Sequence, residues 1–207
     1  RVWFNPNLRS QPSMIPGLMA VVLILPAMSV ALGITREKET GTFETLVTTP
    51  IVGREYLLGK LVVYLSLGLI GTLLALAVAT FWFRVPFRGS LPLYLLFTSI
   101  YLFALMGFCL LVAHIAGNQR SATSIILLAL FIPSFFLTGL TFPVDESSRA
   151  SWLVGQALPA THFIVISRGI TLKALGMSYL WPEVLTLLGM GIAATILSVL
   201  VFQKRLQ

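Results

Sequence analysis

Pro16–Ile34 contains one polar side chain, Ser29, and Leu61–Phe83 is apolar apart from Ser66, Thr72 and Thr80. A helix rises about 1.5 Å per residue, so runs of this length reach roughly 30 Å, the hydrocarbon thickness of a bilayer. Between them lies REKETGTFETLVTTPIVGREYLLGK, residues 36–60, which mixes charges of both signs with an apolar stripe. That is not the composition of a flexible linker. The chain must therefore cross a membrane as helices and hold a folded polar segment at one membrane face.

Five such runs are read along the chain, at about 16–34, 61–83, 93–116, 122–142 and 182–202. They form a single all-α, polytopic membrane domain over residues 1–207, with no internal repeat. The connection 143–181 is long, and Trp152–Leu158 and His162–Ile170 within it are apolar. It is expected to hold two short helices that dip partway into the bilayer as a partly re-entrant segment. An unpaired backbone at that depth must be covered by protein or water. An ordinary surface loop with two amphipathic helices is the alternative.

Composition narrows the function classes. Charged residues make up 10% of the chain, against about 25% in an ordinary soluble domain. The net charge of +7 is scattered over loops with no basic cluster, so nucleic acid is excluded as a partner and membrane lipid is expected. Lys and Arg divide seven against seven between the two faces, so charge does not set the orientation. The lone Cys109 lies in an apolar run and reads as a buried structural thiol. The first residue is Arg1, and further sequence is expected upstream.

No catalytic or metal-binding cluster emerges. His114 reads as an interfacial or hydrogen-bonded histidine, and His162 has no second ligand at metal spacing. Gly53 and Gly59-Lys60 do not make a phosphate loop, because five residues separate the glycines and Leu61 follows the lysine. The interiors of the runs are read as free of Asp, Glu, Lys and Arg. A carrier driven by protons or Na⁺ needs an ionisable group at depth, so the energy is expected to come from outside the chain.

Within 36–60 the pattern predicts a helix, a break and a second helix. Phe43, Leu46 and Val47 share a face, Pro50 stops the segment, and a run from Gly53 leads into the membrane. Pro133-Ser134-Phe135-Phe136-Leu137-Thr138-Gly139 is the candidate substrate pathway. Pro133 frees a carbonyl, Gly139 thins the helix, and the phenylalanines suit an apolar cargo. A packed, kinked span accounts for the same residues.

Arg36, Glu37, Lys38, Glu39, Thr40, Gly41, Thr42, Phe43 and Glu44, followed by Leu46, Thr49-Pro50 and Gly59-Lys60, resemble the signature of ABC-2 exporter permeases. Thr40 stands where that signature commonly has Arg or Lys. Asn5-Pro6, Pro16-Gly17, Leu158-Pro159-Ala160-Thr161-His162-Phe163 and Arg168-Gly169-Ile170 resemble flanking features of the family. The resemblance implies six spans, of which this chain holds the second to the sixth. It implies that 36–60 is cytoplasmic and acts as a coupling helix, seated in a separate ATP-binding cassette subunit. Arg36, Glu37, Glu39, Gly41, Thr42, Phe43, Glu44, Leu46, Pro50, Gly59 and Lys60 are its expected coupling residues. No cofactor is expected on this chain, since ATP and Mg²⁺ belong to the partner. A second permease, identical or paralogous, is expected to complete a dimer. The expected function is export of a hydrophobic or amphipathic substrate across the cell membrane. A channel, an ATP-independent carrier and a scaffold subunit are the alternatives.

Overall fold

A computed structural model describes residues 11–42, 53–138 and 149–203. Among these residues the fold is helical with no strand, the all-α class expected from the apolar runs. Five helices are long and apolar enough to cross a membrane: Met14–Glu39, Glu55–Trp82, Leu91–Ile115, Gln119–Leu137 and Met177–Val201. The chain is a multi-pass membrane protein.

The first span is built from α1 (Gln11–Val22) and α2 (Ile24–Glu39). They join at Leu23 because Pro26 has no N–H to donate to the carbonyl four residues earlier. The second span is α3 (Gly53–Ala77), which widens into a π-helical turn at Val78–Trp82. Then comes α4 (Leu91–Ile115), started by Ser90, whose hydroxyl accepts the N–H of Leu93. The fourth span runs from α5 (Gln119–Ile126) through a π turn at Leu127–Phe131 into α6 (Ile132–Leu137). There Ile132 N–H reaches back five residues to Leu127, immediately before Pro133. The proline is thus carried through a widened turn rather than a broken helix.

Two short helices follow, α7 (Arg149–Gln156) and α8 (Pro159–Lys173), and the last span is α9 (Met177–Gln203). Helix α8 is wedged into the bundle. The rings of Phe163 and Tyr101 stack with centroids 4.2 Å apart, and Ser167 Oγ donates to the carbonyl of Pro16 at 3.0 Å. Tyr101 Oη also donates to Ala20 at 2.6 Å, so the bent first span and α8 meet on one face of α4. Tyr101 lies ten residues beyond Leu91, about 15 Å along α4. The other end of α8 is at the α3–α4 turn, where Arg88 N–H donates to the carbonyl of Thr171 at 3.1 Å. Helix α8 therefore climbs from the middle of the bundle to the end opposite residues 36–60.

Helix α9 crosses α4 at Gly107 and Gly191. A Cβ on Gly191 would stand 2.8 Å from the Phe103 ring and 3.0 Å from Ala104 Cα, so only glycine permits this approach. Nearer the 36–60 end, His114 Nε2 and Ser198 Oγ pair at 2.8 Å with both residues buried. The sequence reading of His114 as a hydrogen-bonded histidine agrees with this.

One expectation fails. Helix α9 begins at Met177, and Glu183 sits almost two turns inside it. The interior of the last span is not free of acids. The run read from residue 182 placed Glu183 at a boundary because Tyr179, Trp181 and Pro182 do not read as span interior. In the structure the helix passes through Pro182 and takes in all three.

Candidate functional site

The charged residues of 36–42 collect at one end of the bundle. The first helix of the expected helix–break–helix, on Phe43, Leu46 and Val47, and its break at Pro50 lie outside the described residues, and the second runs from Gly53 as expected. Arg36–Glu39 form no separate helix but continue α2 to its last turn. Helix α2 persists because nothing before Gly41 breaks it. Thr35 turns its hydroxyl back to the Ala31 carbonyl at 2.9 Å, and Thr40 N–H still bonds Arg36 at 2.9 Å. Gly41 then adopts φ +71°, a left-handed conformation that turns the chain away from the helix axis.

Four successive helical residues point in four directions, about 100° apart. Glu37 faces α3. Lys60 Nζ lies 2.7 Å from its Oε2, and the Tyr56 hydroxyl donates to the same carboxylate. Lys60 also lies over the Tyr56 ring, 4.6 Å from its centroid. Lys38 faces the end of α4, where Nζ donates to the Ala113 carbonyl at 2.5 Å. Glu39 faces the start of α5, accepting from Gln119 N–H at 3.0 Å and from Gln119 Nε2 at 2.7 Å. Arg36 is exposed.

The chemistry of each contact matches its target. The last carbonyls of a helix lack partners and carry partial negative charge, and Lys38 brings a cation to those of α4. The first N–H groups of a helix carry partial positive charge, and Glu39 brings a carboxylate to that of α5. Asn118 completes this start, accepting Ser121 N–H at 2.7 Å in a capping box. The tetrad Arg36-Glu37-Lys38-Glu39 thus ties the ends of four spans together and leaves one cation outward.

Beside the tie an open cavity of about 480 Å³ is lined by the ends of α2 and α3. Gly33, Arg36, Glu37, Thr42, Gly59 and Lys60 contribute to its walls. The pairing of Lys60 with Glu37 was not found by sequence reasoning, which named both only as coupling residues. The spacing of the two on separate spans carried no signal for the pairing. Phe43, Glu44, Leu46 and Pro50 lie outside the described residues.

The second candidate segment is at the other end of the fourth span. Ser134 and Thr138 are buried, and Phe136 is exposed. The Thr138 hydroxyl donates to the Ser134 carbonyl, so Ser134 and Thr138 do share one helical face. That face belongs to α6, which packs against α7. Phe135 and Phe136 meet edge to face with centroids 5.4 Å apart. Gly139 lies outside the described residues.

Comparison with known proteins gives a consistent answer. The ABC-2 family transporter protein pattern matches residues 2–200. The chain is 37% identical over 165 residues to the probable multidrug ABC transporter permease YbhS of Escherichia coli, covering 79% of this chain and 44% of that protein. It is 30% identical over 212 residues to the inner membrane transport permease YhhJ of Escherichia coli, covering 99% of this chain and 55% of that protein. ABC transporter G family member 20 of Dictyostelium discoideum is 25% identical over 209 residues, with 99% and 28% covered. The chain spans about half the length, or less, of these curated relatives. No solved structure matches. A family pattern running almost end to end, and the signature tetrad at a single membrane face, place this chain in the ABC-2 family of transporter permeases.

Proposed function

We propose that this chain is the membrane-spanning part of an ATP-driven exporter and that a separate ATP-binding subunit seats at the 36–60 end, on the cytoplasmic side. The observation that carries this reading is the four-way tie at Arg36–Glu39. Force applied to the segment after Gly41 reaches the ends of α2, α3, α4 and α5 at once, through charged hydrogen bonds rather than soft packing. A rigid push from a partner needs such a junction. The cavity between α2 and α3, with Arg36 exposed at its rim, leaves room for an element of that partner.

Membership of the family supports the ATP-binding partner, and the chain itself carries no ATP or Mg²⁺ site in this reading. A second permease, identical or paralogous, completes a dimer, since one copy encloses little pathway. The cargo is hydrophobic or amphipathic. The word multidrug in the name of one relative is consistent with such a cargo. Pro133, Ser134, Phe135, Thr138 and Gly139 line or gate the route, beside the α7–α8 hairpin.

The roles of Glu39 and Glu44 divide. Glu39 holds α5 within the chain, and Glu44 is the acidic contact to the partner. Reversing both, Glu39→Lys with Glu44→Lys, uncouples ATP hydrolysis from transport or prevents assembly. Breaking a close interfacial charge contact alone costs about 2–5 kcal/mol. Normal recovery of the complex, with substrate-stimulated ATPase activity intact in the double variant, would count against the reading.

A further inference from the structure

His162 stands at the inner turn of the α7–α8 hairpin and is 6% exposed. Its Nδ1 lies 2.5 Å from Glu183 Oε2 on α9, and its Nε2 lies 3.0 Å from the carbonyl of Gln156, the last residue of α7. Both partners are oxygen acceptors. A neutral imidazole has one N–H and would turn a bare nitrogen lone pair toward one of them. With Glu183 ionised, only the imidazolium donates to both.

The setting makes that proton consequential. The carbonyls at the end of α7 sit at the inner turn of the hairpin, away from either end of the bundle, and need partners there. Leu158 N–H and Thr161 Oγ1 both donate to Gly155, at 3.1 and 2.5 Å, and His162 supplies the partner of Gln156. Glu183, within the last span, needs a counter-charge. Among the described residues, the elements packed on α8 bring no other to it. Helix α1 carries no ionisable side chain, and α4 faces α8 with the phenols of Tyr94 and Tyr101. Helix α9 adds only Tyr179. Helix α8 itself has Arg168 six residues on and Lys173 at its far end, and α7 begins at Arg149.

We propose that His162 and Glu183 form a proton-binding site that fastens the re-entrant hairpin to the last span. With the proton bound, α7, α8 and α9 are joined through one ring. Loss of the proton as pH rises leaves a lone pair facing either Glu183 or Gln156, and the hairpin tip comes free of α9 or of its own turn. The site is thus a pH-dependent fastening at the inner turn of the hairpin, within the bundle.

The test uses the full-length protein in nanodiscs, where both faces meet solvent. In ¹⁵N-histidine-labelled protein, the signals absent from a His162→Gln variant belong to His162. In the fastened state both of its ring nitrogens are protonated, and one loses its proton as the pH is raised. A second readout places Leu158→Cys at the tip in a Cys109→Ala background, with Ser178→Cys as an exposed control. Relative to the control, reactivity of the tip toward a water-soluble maleimide rises about tenfold across the same change, the scale of one lost charge-assisted hydrogen bond. In His162→Gln it is high at every pH. The labelling series and the pH series on the unsubstituted histidine stand even if that variant folds poorly. A single protonated nitrogen at every pH, or tip reactivity indifferent to pH, overturns the proposal.

Discussion

At the scale of single residues, the signature tetrad explains itself once its four directions are known. Glu37, Lys38 and Glu39 each neutralise a different neighbour: a lysine on α3, the carbonyl end of α4 and the N–H end of α5. Gly41 ends the helix at φ +71°. Left-handed backbone costs a residue with a Cβ about 1–2 kcal/mol. Gly41→Ala is therefore expected to lower the stability of the permease by about 1 kcal/mol, read as the thermal midpoint of the purified protein. Gly41→Asn, which tolerates this conformation better, recovers part of the loss. Among the described residues nothing lies within 4 Å of the added carbon, so the cost expected is that of the backbone conformation. Equal midpoints for the Gly41→Ala variant and the unsubstituted protein would show that the turn is not held as described.

At the scale of elements, the spans were legible in the sequence and the connections between them only in part. Apolar length is a local property, and it located five crossings. The two short helices of the long connection were anticipated from its apolar stretches, Trp152–Leu158 and His162–Ile170. What periodicity could not show was partnership at a distance. Glu37 with Lys60, Glu39 with Gln119 and His162 with Glu183 lie on separate helices, and each pair depends on how those helices pack. The extent of α2 was also hidden, because charged residues at a span end look the same in a continuing helix as in a new one. The α6 segment offers a test at this scale. In a Cys109→Ala background, cysteines at Ser134 and Thr138 are expected to react with a water-soluble thiol reagent in the assembled transporter, and substrate protects them. Cysteines at Leu127 and Leu130 react less. Ser134 and Thr138 are buried in this structure, so reactivity requires the hairpin side of α6 to open. Equal inertness at all four positions would mean that the segment is packing and the route lies elsewhere.

At the scale of the whole molecule, the two ends of the bundle differ in kind. One end is tied by a charged tetrad to four spans and borders an open cavity. The other holds a hairpin wedged between the first, third and last spans and joined to the last by His162 and Glu183. Because Glu183 lies inside a span, its presence gives an ion-driven carrier one point of support. The proposed exporter accounts for the same pair as a fastening, with the energy supplied by ATP. These readings part on one measurement. The full-length permease and its ATP-binding subunit are reconstituted in proteoliposomes, and movement of a fluorescent lipophilic dye is followed with ATP on the 36–60 side. The account predicts ATP-dependent transport that is unchanged when a protonophore and a Na⁺ ionophore collapse the ion gradients. Transport that stops with the ionophores while ATP is still hydrolysed, or that runs on a gradient without ATP, would contradict it.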